Sequence, residues 1–232
     1  MSISDNVKSV LERIDRAAGG RPVTLVAVAK TKPAAAVREA IEAGARVIGE
    51  NHVQEIRQKG GEGAYAGAAV HLVGHLQKNK VRYVAGRVDL IQSVDSAELL
   101  RLIDARAAAL GAVQDVLLEI NIAREPSKTG ALPEMLAELL ETASGLTAVR
   151  VRGLMTIPPA GKGGTYFNNM QKLFIDNAGE KYDNVSMDFL SMGMSDDFEQ
   201  AIGAGANMVR VGSAIFGARD YGRPVRNEGG IR

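Results

Sequence analysis

Short apolar runs alternate along this chain with segments in which apolar residues recur at helical spacing. Eight of the runs have the length and the near-continuous hydrophobicity of strands that are covered on both faces. They lie at residues 22–29, 46–49, 70–74, 89–94, 115–121, 150–157, 188–192 and 207–211. A strand followed by a helical segment that ends at glycine is typical of βα units, so the pattern predicts a parallel sheet.

Helices are predicted between these strands from their start and stop signals. Residues 96–110 follow a capping box formed by Asp95 and Glu98, and Gly111 stands just after the helix. The same signals predict helices at 33–43, 132–143 and 196–202, which end near Gly44, near Gly145 and at Gly203 or Gly205. A further helix is predicted at the N-terminus, over residues 1–18.

A single (β/α)8 barrel is the fold that this order of elements favours, with the helix over residues 1–18 as an N-terminal addition. The barrel domain is expected to span residues 1–221. An open, doubly wound Rossmann-like sheet is the structural alternative. We expect glycine-rich loops at 60–67 and 160–165, and a loose, polar tail at 222–232.

The composition narrows the classes of ligand. Lys and Arg total 28 against 27 Asp and Glu, so a net charge of +1 gives no reason to expect nucleic acid or an anionic membrane as partner. There is no cysteine, and the 3 histidines lack the spacing of a helical zinc pair, so no metal site is expected. Since no stretch resembles a signal peptide or reaches the roughly 20 apolar residues of a membrane span, we expect a cytoplasmic protein with a small-molecule ligand.

Polar and ionisable residues follow the predicted strands, at the end of a barrel where active sites form. The residues at these strand ends are Lys30, Glu50, Asn51, His75, Ser93, Asp95, Asn121, Thr156, Ser191, Arg210, Gly212 and Ser213. Lys30 follows Val-Ala-Val-Ala, and an amine among apolar residues can have a depressed pKa and act as a Schiff-base nucleophile. A solvated lysine at the start of a loop is the alternative. His75 fits either a catalytic or a structural role.

Arg210 and the Gly212-Ser213 pair indicate a place for an oxyanion. Arg210 lies within an apolar strand, and the N–H groups and hydroxyl that follow it can receive a phosphate, as the last strand-loops of such barrels often do. Ser191 and Ser195 could add donors from the preceding strand. The alternative is an ordinary glycine turn, with Arg210 paired to a carboxylate.

Blocks of sequence spread through nearly the whole chain carry a further signal. They are Ala-Lys-Thr-Lys-Pro at 29–33, Gly-Glu-Asn-His-Val-Gln-Glu at 49–55, His-Leu-Val-Gly-His-Leu-Gln-Lys-Asn-Lys at 71–80, Arg-Gly-Leu-Met-Thr-Ile-Pro at 152–158, Leu-Ser-Met-Gly-Met-Ser-Asp-Asp at 190–197 and Val-Arg-Val-Gly-Ser-Ala-Ile-Phe-Gly-Ala-Arg at 209–219. Together these blocks resemble the pyridoxal phosphate homeostasis protein family. The resemblance implies a fold-type III pyridoxal phosphate barrel, similar to the N-terminal domain of alanine racemases.

The resemblance also implies roles for residues of this chain. The implied cofactor-binding residues are Lys30, Asn51, Ser191, Arg210, Gly212 and Ser213. Lys30 would carry pyridoxal 5′-phosphate as an aldimine, Arg210 would meet the pyridine nitrogen, and the two serines with Gly212 would hold the phosphate. The chain departs from the family pattern at Ala29, where serine is usual, and at His52, where tyrosine is frequent.

A cofactor-binding protein without substantial turnover is the function that the resemblance implies. Such a protein would hold the cofactor, limit the free aldehyde within vitamin B6 homeostasis, and pass cofactor to apo-enzymes. The alternatives are an amino-acid racemase of fold type III and a class I aldolase-like enzyme that uses Lys30. Racemases of this fold type take a tyrosine from an additional C-terminal domain, and we expect this chain, which ends at Arg232, to lack that domain.

Overall fold

Parallel strands close into a barrel in chain order. The computed structural model describes residues 2–159, 161, 163–179 and 182–217. The strands are β1 (Thr24–Val28), β2 (Val47–Glu50), β3 (Ala69–Leu72), β4 (Leu90–Val94), β5 (Gln114–Glu119), β6 (Val149–Met155), β7 (Val185–Ser191) and β8 (Met208–Val211). Each strand overlaps one of the predicted runs. Because β1 pairs with β8, from Thr24 opposite Met208 to Ala27 opposite Val211, the barrel is confirmed and the open sheet is wrong.

Helices cover the outside of the barrel. They are α1 (Ile3–Ala18), α2 (Ala34–Glu42), α3 (Val53–Gly61), α4 (Ala97–Ala108), α5 (Leu136–Ser144), α6 (Gly163–Asp176), α7 (Phe198–Gly203) and α8 (Ser213–Phe216). None of these described helices is long and apolar enough to cross a membrane. The predicted tail at 222–232, and the last residues of the predicted domain from 218 onward, lie outside the described residues.

Two local predictions are wrong. The N-cap of α4 is Ser96, whose hydroxyl accepts a hydrogen bond from the backbone N–H of Leu99 at 3.4 Å. The cap therefore lies one residue after the predicted Asp95, and the helix begins at Ala97. The predicted loop at 160–165 is helical from Gly163 onward, because α6 buries Phe167 against the core. Residues 160 and 162 of that loop lie outside the described residues.

The N-terminal helix α1 packs on the outside of the barrel, as predicted. Its start is fixed by a capping box in which Ser2 accepts from the N–H of Asp5 and Asp5 accepts from the N–H of Ser2. Its buried face contacts α2, α7 and α8, and Arg13 pairs with Glu199 of α7 at 2.8 Å. The helix therefore joins the two ends of the described fold.

The barrel interior has its own apolar core, separate from the larger core between strands and helices. Its members are Val26, Val28, Val73, Leu90, Leu117, Met155 and Met208. Side chains alternate between the two faces of a strand, so Lys30 is the next residue after Val26 and Val28 on the interior side of β1. The interior core ends below Lys30, and the space above it is the mouth of the barrel.

Candidate functional site

A cavity of about 230 Å³ opens at the carboxyl ends of the strands. Its lining residues are Val28, Lys30, Thr31, Lys32, Asn51, Val73, Ile157, Met194, Ser195, Asp196, Arg210, Gly212, Ser213, Phe216 and Gly217. The walls are therefore part apolar and part charged, as in sites that orient a small ligand with a few polar groups. Barrels of this architecture place their active sites at this end.

Lys30 is half-buried at the wall of this cavity, just beyond the end of β1. The residue before it, Ala29, continues the strand pairing through a 2.9 Å bond from its N–H to the carbonyl of Gly49. The residue after it, Thr31, turns sharply with φ of 65°. The amine thus projects from the point where the rigid strand gives way to the first βα loop.

A chain of hydrogen bonds across the barrel interior fixes Arg210. Its Nη1 donates to Ser191 Oγ at 2.7 Å, and its Nη2 donates to the carbonyl of Thr156 at 2.8 Å. Ser191 Oγ in turn donates to Gln92 Oε1 at 2.7 Å, and Gln92 Nε2 lies 2.9 Å from His71 Nδ1. The guanidinium is therefore held in one orientation at the floor of the cavity.

The charges along this chain follow from burial. Burial lowers the pKa of Arg210 to about 10, so its guanidinium remains charged at neutral pH. Burial lowers the pKa of His71 to about 4, so its ring is neutral and Nδ1 accepts from Gln92. Among the described residues, no carboxylate forms a salt bridge with Arg210, so the alternative of a simple ion pair has no support there.

The turn after β8 supplies donors on another wall. Gly212 and Ser213 line the cavity, and the N–H groups of Gly212 and Ala214 both point at Ser195 Oγ, at 3.2 and 3.3 Å. A Cβ on Gly212 would lie 3.3 Å from the carbonyl oxygen of Val28, so this turn packs closely against the end of β1. N–H groups and hydroxyls gathered in this way suit an oxyanion.

The predicted site residues divide into two groups in the structure. Those that line the cavity are Lys30, Asn51, Arg210, Gly212 and Ser213. Ser191 is fully buried one layer below and uses its hydroxyl to bond Arg210 and Gln92. His52 and His75 are exposed and lie outside the cavity lining.

Sequence reasoning left Ser195 as an auxiliary residue and did not single out Gln92 or Thr31. A signal existed for Ser195 in the Ser-Met-Gly-Met-Ser run that follows β7. A signal also existed for Gln92, since an amide within the apolar run of β4 needs a buried hydrogen-bond partner. The left-handed turn at Thr31 had no sequence signal, because β-branched residues rarely adopt it.

Comparison with known proteins identifies the family. The family model described as alanine racemase, N-terminal domain, matches residues 3–220. The pyridoxal phosphate homeostasis protein of Pseudomonas aeruginosa is 44% identical over 234 residues, covering 97% of this chain and 99% of the relative. The chain belongs to the pyridoxal phosphate homeostasis protein family. The family member from Escherichia coli K12 is 43% identical over 231 residues, covering 95% of this chain and 98% of the relative.

A solved structure matches the same barrel. PipY of Synechococcus elongatus PCC7942, solved with PLP bound, has a TM-score of 0.82 and 34% sequence identity, covering 93% of this chain and 100% of PipY. Sequence and structure therefore agree on the homeostasis protein family, and the resemblance found in the sequence blocks is confirmed.

Proposed function

We propose that this chain binds pyridoxal 5′-phosphate at the mouth of the barrel and that Lys30 is its point of covalent attachment. The observation that carries the proposal is the convergence of an amine, a buried guanidinium and a set of phosphate-type donors on one cavity. The relatives are named for this cofactor, and PipY was solved with PLP bound.

The cavity residues fit the chemical parts of the cofactor. Arg210 suits the pyridine nitrogen, because a fixed guanidinium N–H donates to a nitrogen lone pair. The N–H groups and hydroxyls around Gly212, Ser213 and Ser195 suit the phosphate. The cofactor supplies an aldehyde, which condenses with a primary amine so that C=N replaces C=O and one water leaves. Asn51 completes the pocket beside Lys30.

Ser191 acts one step further from the cofactor in this proposal. Its hydroxyl is already engaged by Arg210 and Gln92, and it is fully buried. We therefore assign to Ser191 the support of Arg210, and to Ser195 the phosphate contact from the loop after β7.

We further propose that the loaded protein has little turnover and serves cofactor homeostasis in the cytoplasm, including supply to apo-enzymes. Arg210 stays cationic at neutral pH, because its pKa lies at about 10, and a cation against the pyridine nitrogen keeps that nitrogen unprotonated and the ring a poor electron sink. Racemisation at an amino-acid Cα also needs a second base on the face opposite Lys30. Among the described residues that line the cavity there is no histidine or tyrosine.

The substitution Lys30→Ala tests the attachment point. We expect it to abolish the visible absorbance that the holo-protein gains from its covalent link and to leave the fold intact, because Lys30 lines the mouth and belongs to neither core. Lys128→Ala, an exposed lysine in another loop, is the matched control and should keep the absorbance.

Borohydride reduction followed by peptide mapping locates the link directly. The label should fall on Lys30; a label on Lys32 would contradict the assignment, while a wild-type protein that takes up no cofactor would contradict the whole proposal. Racemisation of L-alanine at about 1 s⁻¹ or faster, lost in Lys30→Ala, would contradict the low-turnover part.

A further inference from the structure

A buried ionic cluster lies behind Lys30, between β2 and α3. Glu50 at the end of β2 is 0% exposed, and Lys59 on α3 is 5% exposed. Lys59 Nζ lies 2.8 Å from Glu50 Oε1 and 3.4 Å from Glu55 Oε2. None of these three residues lines the cavity, so the cluster has no direct contact with a ligand there.

The cluster holds the backbone on both sides of Lys30. Lys59 Nζ donates to the carbonyl of Ala29 at 2.8 Å, and this carbonyl belongs to the peptide bond that joins Ala29 to Lys30. On the other side, the N–H of Thr31 donates to the two carboxylate oxygens of Glu55 at 3.0 and 3.1 Å. Both peptide groups that flank the lysine are thus bonded to members of one cluster.

Thr31 gives a second sign of this restraint. Its φ of 65° lies in the left-handed region, which a β-branched residue adopts only when its surroundings impose it. The bonds from its N–H to Glu55 are such a restraint. Lys30 therefore stands between a strand end and a turn that is held in an unfavourable conformation, and both are tied to α3.

Stability alone does not account for the cluster. A buried ion pair usually adds little stability over a well-packed apolar pair, because both charges lose their hydration. Glu50 Oε2 accepts no hydrogen bond from any described residue, although Tyr65 donates to Oε1 at 3.1 Å. Burial also raises the pKa of Glu50 to about 7, even beside Lys59. A costly arrangement at this place is better explained by what it positions.

We propose that Lys59 is a positioning residue for Lys30. Lys59 is anchored by Glu50 and donates to the carbonyl of Ala29, and in this way it directs the Lys30 amine into the cavity for covalent attachment. This inference rests on the proposed function of Lys30. The geometry of an attacking group matters strongly, since a misplacement of about 1 Å can cost about a hundredfold in rate.

The test separates covalent attachment from binding in the cavity. Lys59→Met removes the ammonium and keeps a side chain of similar length. The rate of covalent attachment is followed by visible absorbance after apo-protein and pyridoxal 5′-phosphate are mixed. Binding without attachment is measured by calorimetry with pyridoxine 5′-phosphate, which carries an alcohol in place of the aldehyde. We expect attachment to slow by about ten- to a hundredfold and the affinity for pyridoxine 5′-phosphate to change less than about twofold.

Two further variants keep the test decisive. Leu139→Ala, on the buried face of α5, is the destabilised control and should leave the attachment rate unchanged. If Lys59→Met does not fold, Glu50→Gln with Lys59→Met removes both charges and should show the same slow attachment. Attachment at the wild-type rate, or an attachment rate and an affinity that fall together, would overturn the role of Lys59. Failure of the wild-type protein to attach the cofactor at Lys30 would instead overturn the proposed function.

Discussion

Ser191 links the floor of the cavity to the interior of the barrel. It is the only connection in the hydrogen-bond chain between Arg210 and Gln92 among the described residues, and it both accepts and donates at 2.7 Å. Ser213, by contrast, is exposed at the cavity wall. Ser191, at the end of β7, and Ser213, just after β8, therefore have different physical roles, one in orientation and stability and one in ligand contact.

The substitutions Ser191→Ala and Ser213→Ala should separate these roles. Ser191→Ala leaves a buried amide oxygen and a buried guanidinium N–H without their partner, so we expect the free energy of unfolding to fall by about 1–3 kcal/mol. Ser213→Ala should change it by less than about 0.5 kcal/mol and weaken cofactor binding by about 0.5–3 kcal/mol. Urea unfolding and calorimetry measure the two effects. Equal stability of both variants would contradict the assignment.

The sequence predicted the residues that end strands better than the residues that support them. Lys30 and Arg210 follow or lie within apolar runs, so their place at the mouth follows from the barrel itself. Lys59 could not be predicted in this way. It lies on the buried face of α3, 30 residues after Ala29, and only the three-dimensional contact with the carbonyl of Ala29 reveals its relation to Lys30.

At the scale of elements, β6 departs from regular pairing at Gly153. The register shifts between Val151 and Gly153 against β7, and between Val116 and Leu118 of β5 against β6. Gly153 has φ of 136°, and a Cβ placed there would lie 2.0 Å from the carbonyl oxygen of Phe189. This irregularity lies just before Met155 and Thr156. The carbonyl of Thr156 accepts a hydrogen bond from Arg210. Only glycine allows the two backbones to approach so closely.

The substitution Gly153→Ala should therefore damage the barrel. The added methyl collides with backbone and cannot be relieved by rotating a side chain, so we expect a loss of at least about 3 kcal/mol in the free energy of unfolding, or failure to fold. Gly203→Ala is the control, since a Cβ there meets nothing within 4 Å. It should change stability by less than about 1 kcal/mol. Thermal and urea unfolding compare the two variants.

Element boundaries followed sequence signals only where packing agreed with them. Every strand within the described residues was predicted, because continuous apolar runs mark strands that are buried on both faces. The predicted loop at 160–165 failed because glycine is a weak helix breaker when the following residues, such as Phe167, are buried against the core. Propensity set the expectation there, and tertiary burial decided the outcome.

At the scale of the whole molecule, two buried groups make opposite contributions to the pH dependence of stability. Burial raises the pKa of Glu50 from 4.5 to about 7, so the folded state binds that proton more tightly than the unfolded chain. The contribution of Glu50 to the free energy of unfolding is therefore fully present below pH 4.5 and is lost as the pH rises through about 7. Burial lowers the pKa of His71 from 6.5 to about 4. The contribution of His71 to the free energy of unfolding is therefore fully present above pH 6.5 and is lost as the pH falls through about 4.

These two effects overlap in the same acidic range and largely offset each other in the wild-type protein. Each pKa shift corresponds to about 3 kcal/mol in the free energy of unfolding. A single substitution should reveal each effect, because removing one titrating group leaves the pH dependence of the other no longer offset. His71→Gln should gain stability relative to wild type as the pH is lowered, whereas Glu50→Gln should gain relative to wild type as the pH is raised. Both variants keep an amide at the position, so each retains hydrogen-bonding capacity without a titrating proton.

The measurement is the free energy of urea unfolding for the wild type and both variants at a series of pH values that spans the two ranges. A constant offset between variant and wild type reports only the change in packing and hydrogen bonding. A difference that varies with pH by about 3 kcal/mol, with opposite signs for the two variants, reports the buried proton sites. If the His71→Gln curve runs parallel to that of the wild type, then His71 is not held neutral inside the barrel, and the direction of the hydrogen-bond chain from Arg210 through Ser191 to His71 is wrong.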